Sequence, residues 1–387
     1  MPAGRRFLRH FPTRSAQMEE SILITGGCGF IGSHLSRELL SRGYRVRILD
    51  DLSPQVHATG IPENLLPEVE FIQGDIRDRF AVKKALEGID GVFHLAAAVG
   101  VGQSMYEIEH YTSVNNIGTA VLLEALIKRP VKKLVVASSM SIYGEGLYRD
   151  SAGRIVPGKD RSPQQLRSGR WELTDEEGNP LFPIPTSETK EAAPASVYAL
   201  SKFDQEKICL IAGRAYGIPA TALRFFNVYG PEQALSNPYT GVLAIFATRI
   251  LNGNRPIIFE DGRQQRDFVN VRDIARACRL AYETPEAADE VFNIGSGRSY
   301  TILEIEKSLR QALNSERIEP IISGKYRQGD IRHCVADISR AREILNFEPA
   351  VAFEEGIGEF AAWLDGQIVI DQVDAAGAEL AKRGLTQ

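Results

Sequence analysis

The chain lacks what would fit it to a nucleic acid or an anionic bilayer: 45 Lys and Arg stand against 50 Asp and Glu, a formal net charge of −5. Without a basic excess there is no general attraction to phosphate backbones or acidic lipid. Phosphates, if bound, must be met by a few placed cations. Cysteine is scarce as well. Cys28, Cys209, Cys278 and Cys334 lie far apart with no CxxC pair, which gives no metal-ligand pattern and fits a reducing, cytoplasmic setting. No apolar run approaches the roughly 20 residues needed to span a bilayer, and no repeat of fixed period is evident. Residues 1–17 contain no acid and lack the apolar stretch of a secretory signal. Residues 1–19 are expected to be a disordered arm, with Met18 as an alternative start, rather than a presequence.

What is present is an ordinary globular composition, 43% hydrophobic and 25% charged, arranged as alternating strands and helices. SILIT, YRVRILD, VEFIQGD, GVFHLAA and KLVVASS read as strands, and SHLSRELLSRG, FAVKKALEG and TSVNNIGTAVLLEALIKR read as helices between them. That alternation predicts an α/β fold, a doubly wound parallel sheet of Rossmann type covered on both faces. It occupies residues 20–225, with an insertion over 145–196 rich in Pro, Gly and charge. A smaller mixed α/β lobe follows over 226–365, then a peripheral, helical tail over 366–387.

Gly26, Gly29 and Gly32 form GxxGxxG between a strand and a helix. Such a turn lets the backbone approach a pyrophosphate, and the helix N-terminus offers free N–H groups and its dipole to it. A glycine-rich turn alone is weak, since it is often only a turn. Asp50 strengthens it by ending the next strand 18 residues after Gly32, near the roughly 20 at which a ribose-binding acid is expected. A carboxylate there accepts from ribose hydroxyls and repels a 2′-phosphate, which favours NAD over NADP. Asp75, in GDIRD, is placed to meet the adenine amino group or to cap the following helix.

VVASSMSIYG ends a strand, so its hydroxyls project at the carboxyl edge where ligands bind in such sheets. Tyr198 and Lys202, at i and i+4, share one helix face. An ammonium near a phenol favours phenolate, which can take a proton from a sugar hydroxyl while Ser139 aligns it. YxxxK alone usually marks a surface pair; its position after the glycine turn and the serine-rich strand end argues for chemistry.

Taken together, TGGCGFIGSHL, LDDL, GDIRD, HLAA, NNIGT, SSMSIYG, YALSK and RFFNVYG resemble the extended short-chain dehydrogenase/reductase family, and within it the nucleotide-sugar 4-epimerases. The resemblance spans about residues 20–365. It implies that Ser139, Tyr198 and Lys202 are catalytic. It also implies that NAD stays bound, contacted by Phe30, Ile31, Ile76, Leu95, Ala96, Ala97 and Asn115 besides the glycines and acids already named. For the nucleotide sugar it implies Asn227 and the arginines Arg266 and Arg327 at the phosphates, Asp330 at the nucleoside ribose and Ser141 near the sugar. A homodimer is implied through TSVNNIGTAVLLEALIKR and the helix carrying Tyr198 and Lys202.

The same resemblance bears on the reaction. Dehydratases and decarboxylases of the family carry carboxylates just after the catalytic hydroxyl residue, where this chain has Met140 and Ser141. Elimination is thereby disfavoured, leaving reversible oxidation at C4. Two features depart from UDP-galactose 4-epimerase: Val99 stands near that enzyme's nicotinamide-ribose lysine, and the stretch from Ser139 to Tyr198 is far longer. The long stretch resembles that of bacterial dTDP-L-rhamnose 4-epimerases, with UDP-hexose 4-epimerases the alternative. A catalytically dead NAD-binding protein would need none of the three catalytic side chains. The insertion is expected to act as a lid, packing Trp171, Leu173, Leu181, Phe182 and Ile184 onto the sugar lobe.

Overall fold

Seven runs rich in Ile, Val and Leu become seven parallel strands in the computed structural model, which describes residues 20–57, 60–235, 237–239, 241–327, 329–367 and 369–386. They are β1 (Ser21–Thr25), β2 (Arg45–Asp50), β3 (Glu70–Gln73), β4 (Gly91–His94), β5 (Lys133–Ser139), β6 (Ala220–Phe225) and β7 (Val291–Ile294). Their order is β3-β2-β1-β4-β5-β6-β7. Chain direction across the sheet therefore reverses between β1 and β4, and the crevice above that point is where such folds bind ligands. The arm expected over residues 1–19 lies outside the described residues.

Side chains of one strand alternate between two cores. Ile22 and Ile24 of β1 join Phe93, Val135, Leu223 and Phe292 on one face. Leu23 joins Val92, Leu134, Val136 and Leu122 on the other. Burial on both faces is why these strands read as nearly continuous apolar runs. Strand β7 and the helix Val271–Glu283, with Ile274 and Cys278 buried in the first core, come from the stretch read as the second lobe. The sheet is thus completed by chain that returns after the substrate lobe has begun. The lobe itself packs Phe246, Ile305, Leu309, Phe353 and Phe360 into a separate core.

The insertion, irregular by its sequence, is folded. Leu147–Arg149 pairs antiparallel with Ile155–Pro157 and with Phe182–Ile184, and Ser162 caps a short helix at Pro163–Arg167. Its runs of three residues are too short to show a period. Leu166 and Leu173 are buried, and the Trp171 ring lies 6.3 Å from that of Tyr326, but Phe182 stays exposed. Charge fastens the insertion to the substrate lobe: Arg332, fully buried, donates to Glu172, Glu260 and Asp261. Glu145 accepts from the amides of Arg332 and His333.

A second buried ion pair joins sheet to helix. Arg224 of β6 donates Nε and Nη2 to the two carboxylate oxygens of Glu206, at 2.9 and 2.7 Å, and Nη1 to the Tyr143 hydroxyl at 2.7 Å. Ser138 of β5 donates to the same Glu206 at 2.7 Å. Removing one member of a buried pair leaves an uncompensated charge, which costs about 3–5 kcal/mol. Glu206→Ala is therefore expected to lose that much stability in urea unfolding. A loss below about 1 kcal/mol would show that Arg224 finds other partners.

Candidate active site

The glycine turn follows β1 directly. Gly26 takes φ of +70°, and a Cβ there would sit 2.7 Å from the Ala96 amide nitrogen, so the turn lies hard against the segment leaving β4. Gly32 is equally constrained: its Cβ would fall 2.5 Å from the Gly27 Cα. Gly29 caps the helix Phe30–Ser41, whose first turn carries no acid. That end presents unpaired N–H groups and a positive dipole to a cavity of about 940 Å³. Phe30, Ile31, Ile76, Leu95, Ala96 and Ala97 line the same cavity.

Asp50 stands at the end of β2, where its carboxylate accepts from the Cys28 amide at 3.0 Å and the Leu52 amide at 2.9 Å. Burial raises its carboxyl above the usual range, and those amides together with His57, 3.7 Å away, oppose the rise. His57 was not anticipated; it lies in an irregular stretch without a motif. Asp75 also lines the cavity, but its carboxylate is held by Arg77 at 2.5 Å, a bond that lowers its pKa. It does not cap the helix Arg79–Ala85; Asp78 does, accepting from the Phe80 amide. Asn115 is placed differently from expectation. It is fully buried and bonds both Ala98 backbone groups and the Ser201 hydroxyl. It pins the strap after β4 to the Tyr198 helix and does not reach the cavity wall.

Ser139 ends β5, and Ser196 caps the helix Val197–Tyr216 that carries Tyr198 and Lys202. Ser139 Oγ accepts from the Ser141 amide at 3.2 Å and the Ser141 hydroxyl at 2.9 Å. With two donors aimed at that oxygen, its own proton is free to point at the Tyr198 oxygen. Burial pushes the Tyr198 phenol up, and the bond from Ser139 pulls it back. Lys202, one turn along the same helix, lines the cavity and is held from behind. Its Nζ donates to Gln205 Oε1 at 2.7 Å, and burial brings its pKa down to about 8.

Behind Gln205 the donors run in one direction. Gln205 Nε2 donates to the Thr119 hydroxyl at 2.8 Å, and that hydroxyl donates to the Asn115 carbonyl at 2.5 Å. His94 Nε2, 2.8 Å from Thr119 Oγ1, must then carry a proton, while His94 Nδ1 accepts from the Thr25 hydroxyl at 2.7 Å. The ring is thus neutral, and burial lowers its pKa to about 3. His94 and Gln205 were legible only as the polar member of HLAA and as the residue one turn beyond Lys202.

Ser141, Asn227, Arg266, Arg327 and Asp330 line the same cavity. Asn227 Nδ2 donates to the Asp267 carbonyl at 2.9 Å, and Arg266 donates to the carbonyls of Ile331 and Arg332 at 2.5 and 2.8 Å. Arg327 lies over the Phe259 ring at 4.4 Å, its Nε buried without a partner. Asp330 is fixed through its backbone: its amide donates to the Arg327 carbonyl, and its own carbonyl accepts from Arg161 at 2.9 Å. Among the described residues no group of His, Cys, Asp and Glu is disposed to hold a metal, and no helix is long and apolar enough to cross a membrane.

Fold and site together define an extended short-chain dehydrogenase/reductase. The chain belongs to the NAD dependent epimerase/dehydratase family, which matches residues 22–167 and 173–295. It is 35% identical to the dTDP-L-rhamnose 4-epimerase of Burkholderia thailandensis, over 89% of this chain and 95% of that protein. A putative UDP-glucose 4-epimerase of Methanocaldococcus jannaschii is 33% identical over 89% of this chain and 98% of its own length. Among solved structures, the Thermotoga maritima UDP-glucose 4-epimerase with UDP-glucose is 34% identical, with a TM-score of 0.73 over 89% of this chain and 98% of that one. The Thermus thermophilus UDP-glucose 4-epimerase complex with NAD is 30% identical, with a TM-score of 0.72 over 90% of this chain and all of that one.

The residues present suit NAD: a glycine cradle that any Cβ would fill, a helix N-terminus for the pyrophosphate and Asp50 for an adenosine ribose. Asp50→Gly should remove the repulsion of a 2′-phosphate and narrow the preference for NAD over NADP by at least tenfold, read as the ratio of dissociation constants. An unchanged ratio would place the discrimination elsewhere.

Proposed function

We propose that the protein is a nucleotide-sugar 4-epimerase, working by reversible oxidation at C4, and that its substrate is a dTDP-6-deoxyhexose of the dTDP-L-rhamnose kind. The observation that carries the reaction is the end of β5. Ser139, Tyr198 and Lys202 converge there, and the two residues following Ser139 are Met140 and Ser141. The carboxylates lining the cavity are Asp50, Asp51, Asp75, Asp330 and Asp374, none of them beside Ser139. Expelling a sugar hydroxyl is the work of a carboxylic acid in the family's dehydratases, and among the described residues none stands at that edge. Support for the sugar comes from the likeness to the Burkholderia thailandensis enzyme over nearly the whole of both chains.

NAD, when bound, supplies the acceptor and then the donor of the electrons exchanged at C4. The chain's own groups manage the proton and the position. Ser139 bonds the 4-hydroxyl, and Tyr198 takes its proton as C4 becomes a ketone. Lys202, still mostly charged at neutral pH with a pKa near 8, favours the phenolate. After the sugar turns, Tyr198 returns the proton on the other face. Asn227, Arg266 and Arg327 hold the diphosphate, so the turn occurs about a fixed anchor.

Assembly fits the same reading. Leu200 and Ile211, three turns apart on the helix Val197–Tyr216, are exposed, as is Ile117, beside Asn116, which bonds Asp204 on the same helix. We read this stripe as a dimer interface, and light scattering at micromolar concentration should show twice the chain mass; a monomer would refute it.

The function is tested on purified protein with no cofactor added. NAD should be recovered on denaturation, and NMR should show interconversion at C4 of dTDP-L-rhamnose in preference to UDP-glucose. Tyr198→Phe should keep its NAD and lose about 10²–10⁴ in turnover. Turnover of UDP-hexoses alone would move the substrate to the alternative, and near-normal turnover by the variant would remove Tyr198 from the mechanism.

A further inference from the structure

The covering element expected of the insertion is found at the other end of the chain. Of residues 145–196, only Ala195 and Ser196 reach the cavity wall, whereas Val373, Ala376, Gly377, Leu380 and Thr386 all do. The tail read as peripheral therefore runs along the mouth of the cleft.

Its course is held at four points. Arg249, on the substrate-lobe helix Val242–Leu251, pairs with Asp371 at 3.3 Å and Asp374 at 2.7 Å. The helix Val373–Lys382 then crosses to the cofactor side, and Leu380, only 5% exposed, seats on Gly102. A Cβ at Gly102 would lie 3.3 Å from Leu380 Cδ2, so the glycine leaves the room the leucine uses. Arg383 lies over the Tyr106 ring at 4.3 Å, and the Tyr106 hydroxyl meets that of Tyr239 at 2.5 Å. Tyr106 and Tyr239 form the clasp between the two lobes, and the tail rests on it. Finally Thr386 pairs with Arg327 as an antiparallel bridge.

Val373, Ala376 and Leu380 fall at i, i+3 and i+7, one stripe of the helix, while most of the remaining helix is exposed. Beyond the buried Arg249–Asp371 pair at its start, the segment is attached by one buried leucine, a few exposed polar contacts and one backbone bridge, and so little burial places it in the less stable part of a structure. Its last contact is with Arg327, whose guanidinium has a buried Nε without a partner.

We propose that residues 371–386 are a strap over the nucleotide end of the substrate site, which closes on a bound nucleoside diphosphate and holds the backbone of Arg327 in place against it. This deepens the function proposed above and rests on it. The strap strengthens the anchor about which the sugar turns.

The test reads binding and protection, with UDP and dTDP as probes. In the intact protein, either nucleotide that binds should slow proteolysis and amide exchange of residues 371–386 at least tenfold. A chain ending at Gly366 and the full-length variant Leu380→Asp should each bind the nucleotide at least tenfold more weakly by calorimetry, with NAD content unaltered. If the shortened chain fails to fold, the point variant and the protection experiment decide alone. Wild-type protein that binds nucleotide while the tail gains no protection and Leu380→Asp keeps full affinity overturns the strap and leaves the function standing. Wild-type protein that binds neither UDP nor dTDP overturns both.

Discussion

The active edge of the sheet depends on one buried ion pair, Arg224 with Glu206. Glu206 lies four residues beyond Lys202 and therefore on the same helical face. Ser138, which donates to Glu206, is the neighbour of Ser139. Arg224 brings in Tyr143, which donates to Asn293 of β7 at 2.7 Å, and the Glu188 carbonyl, which accepts from Arg224 at 3.2 Å. One guanidinium thus ties β5, β6, β7, the helix Val197–Tyr216 and the returning end of the insertion. An apolar cluster would bind these elements as strongly but would tolerate a slide of helix against strand. A bidentate pair tolerates little, and the distance between Ser139 and Tyr198 is inherited from it.

The insertion is fixed by the same means at the other lobe. Arg332, Arg161, Glu145 and Glu260 are too many charges to bury for stability alone, since desolvating them costs nearly what their attraction returns. What they supply is place. Arg332 sits between Ile331 and His333, in the strand segment whose carbonyls receive Arg266. His333 accepts the Gln265 amide on Nδ1 and so offers Nε2–H to Glu172. The insertion is a buttress behind the wall that carries Arg266, and of its residues only Ala195 and Ser196 reach the cavity.

Much of this was written legibly in the sequence, for a physical reason. Strands buried on both faces must be apolar throughout, so β1, β4 and β5 declare themselves. A turn pressed against Ala96 must be glycine, so the cofactor site does as well. The insertion was harder because strands of three residues carry no period, and its fold rests on ion pairs between residues far apart in the chain. The tail misled for a related cause: its helix buries Leu380 alone, which looks like a solvated end until the cleft it spans is known. Asn115 marks another limit, since a motif gives a residue type without saying whether its polar atoms face the ligand or the scaffold behind it.

The arginines show how that ambiguity resolves once partners are known. Arg224, Arg332 and Arg161 are buried against carboxylates, so their charge is spent inside the protein. Arg266 is met by carbonyl oxygens and Arg327 by an aromatic ring, and among the described residues neither has a carboxylate ion pair. Carbonyls and rings orient a guanidinium without cancelling its charge. In a chain of net charge −5, these two guanidinia and the helix N-terminus at Gly29 are positive features left facing one cavity. A dinucleotide's pyrophosphate and a sugar nucleotide's diphosphate, the two anionic groups of the function proposed above, are what such a cavity would draw from solution.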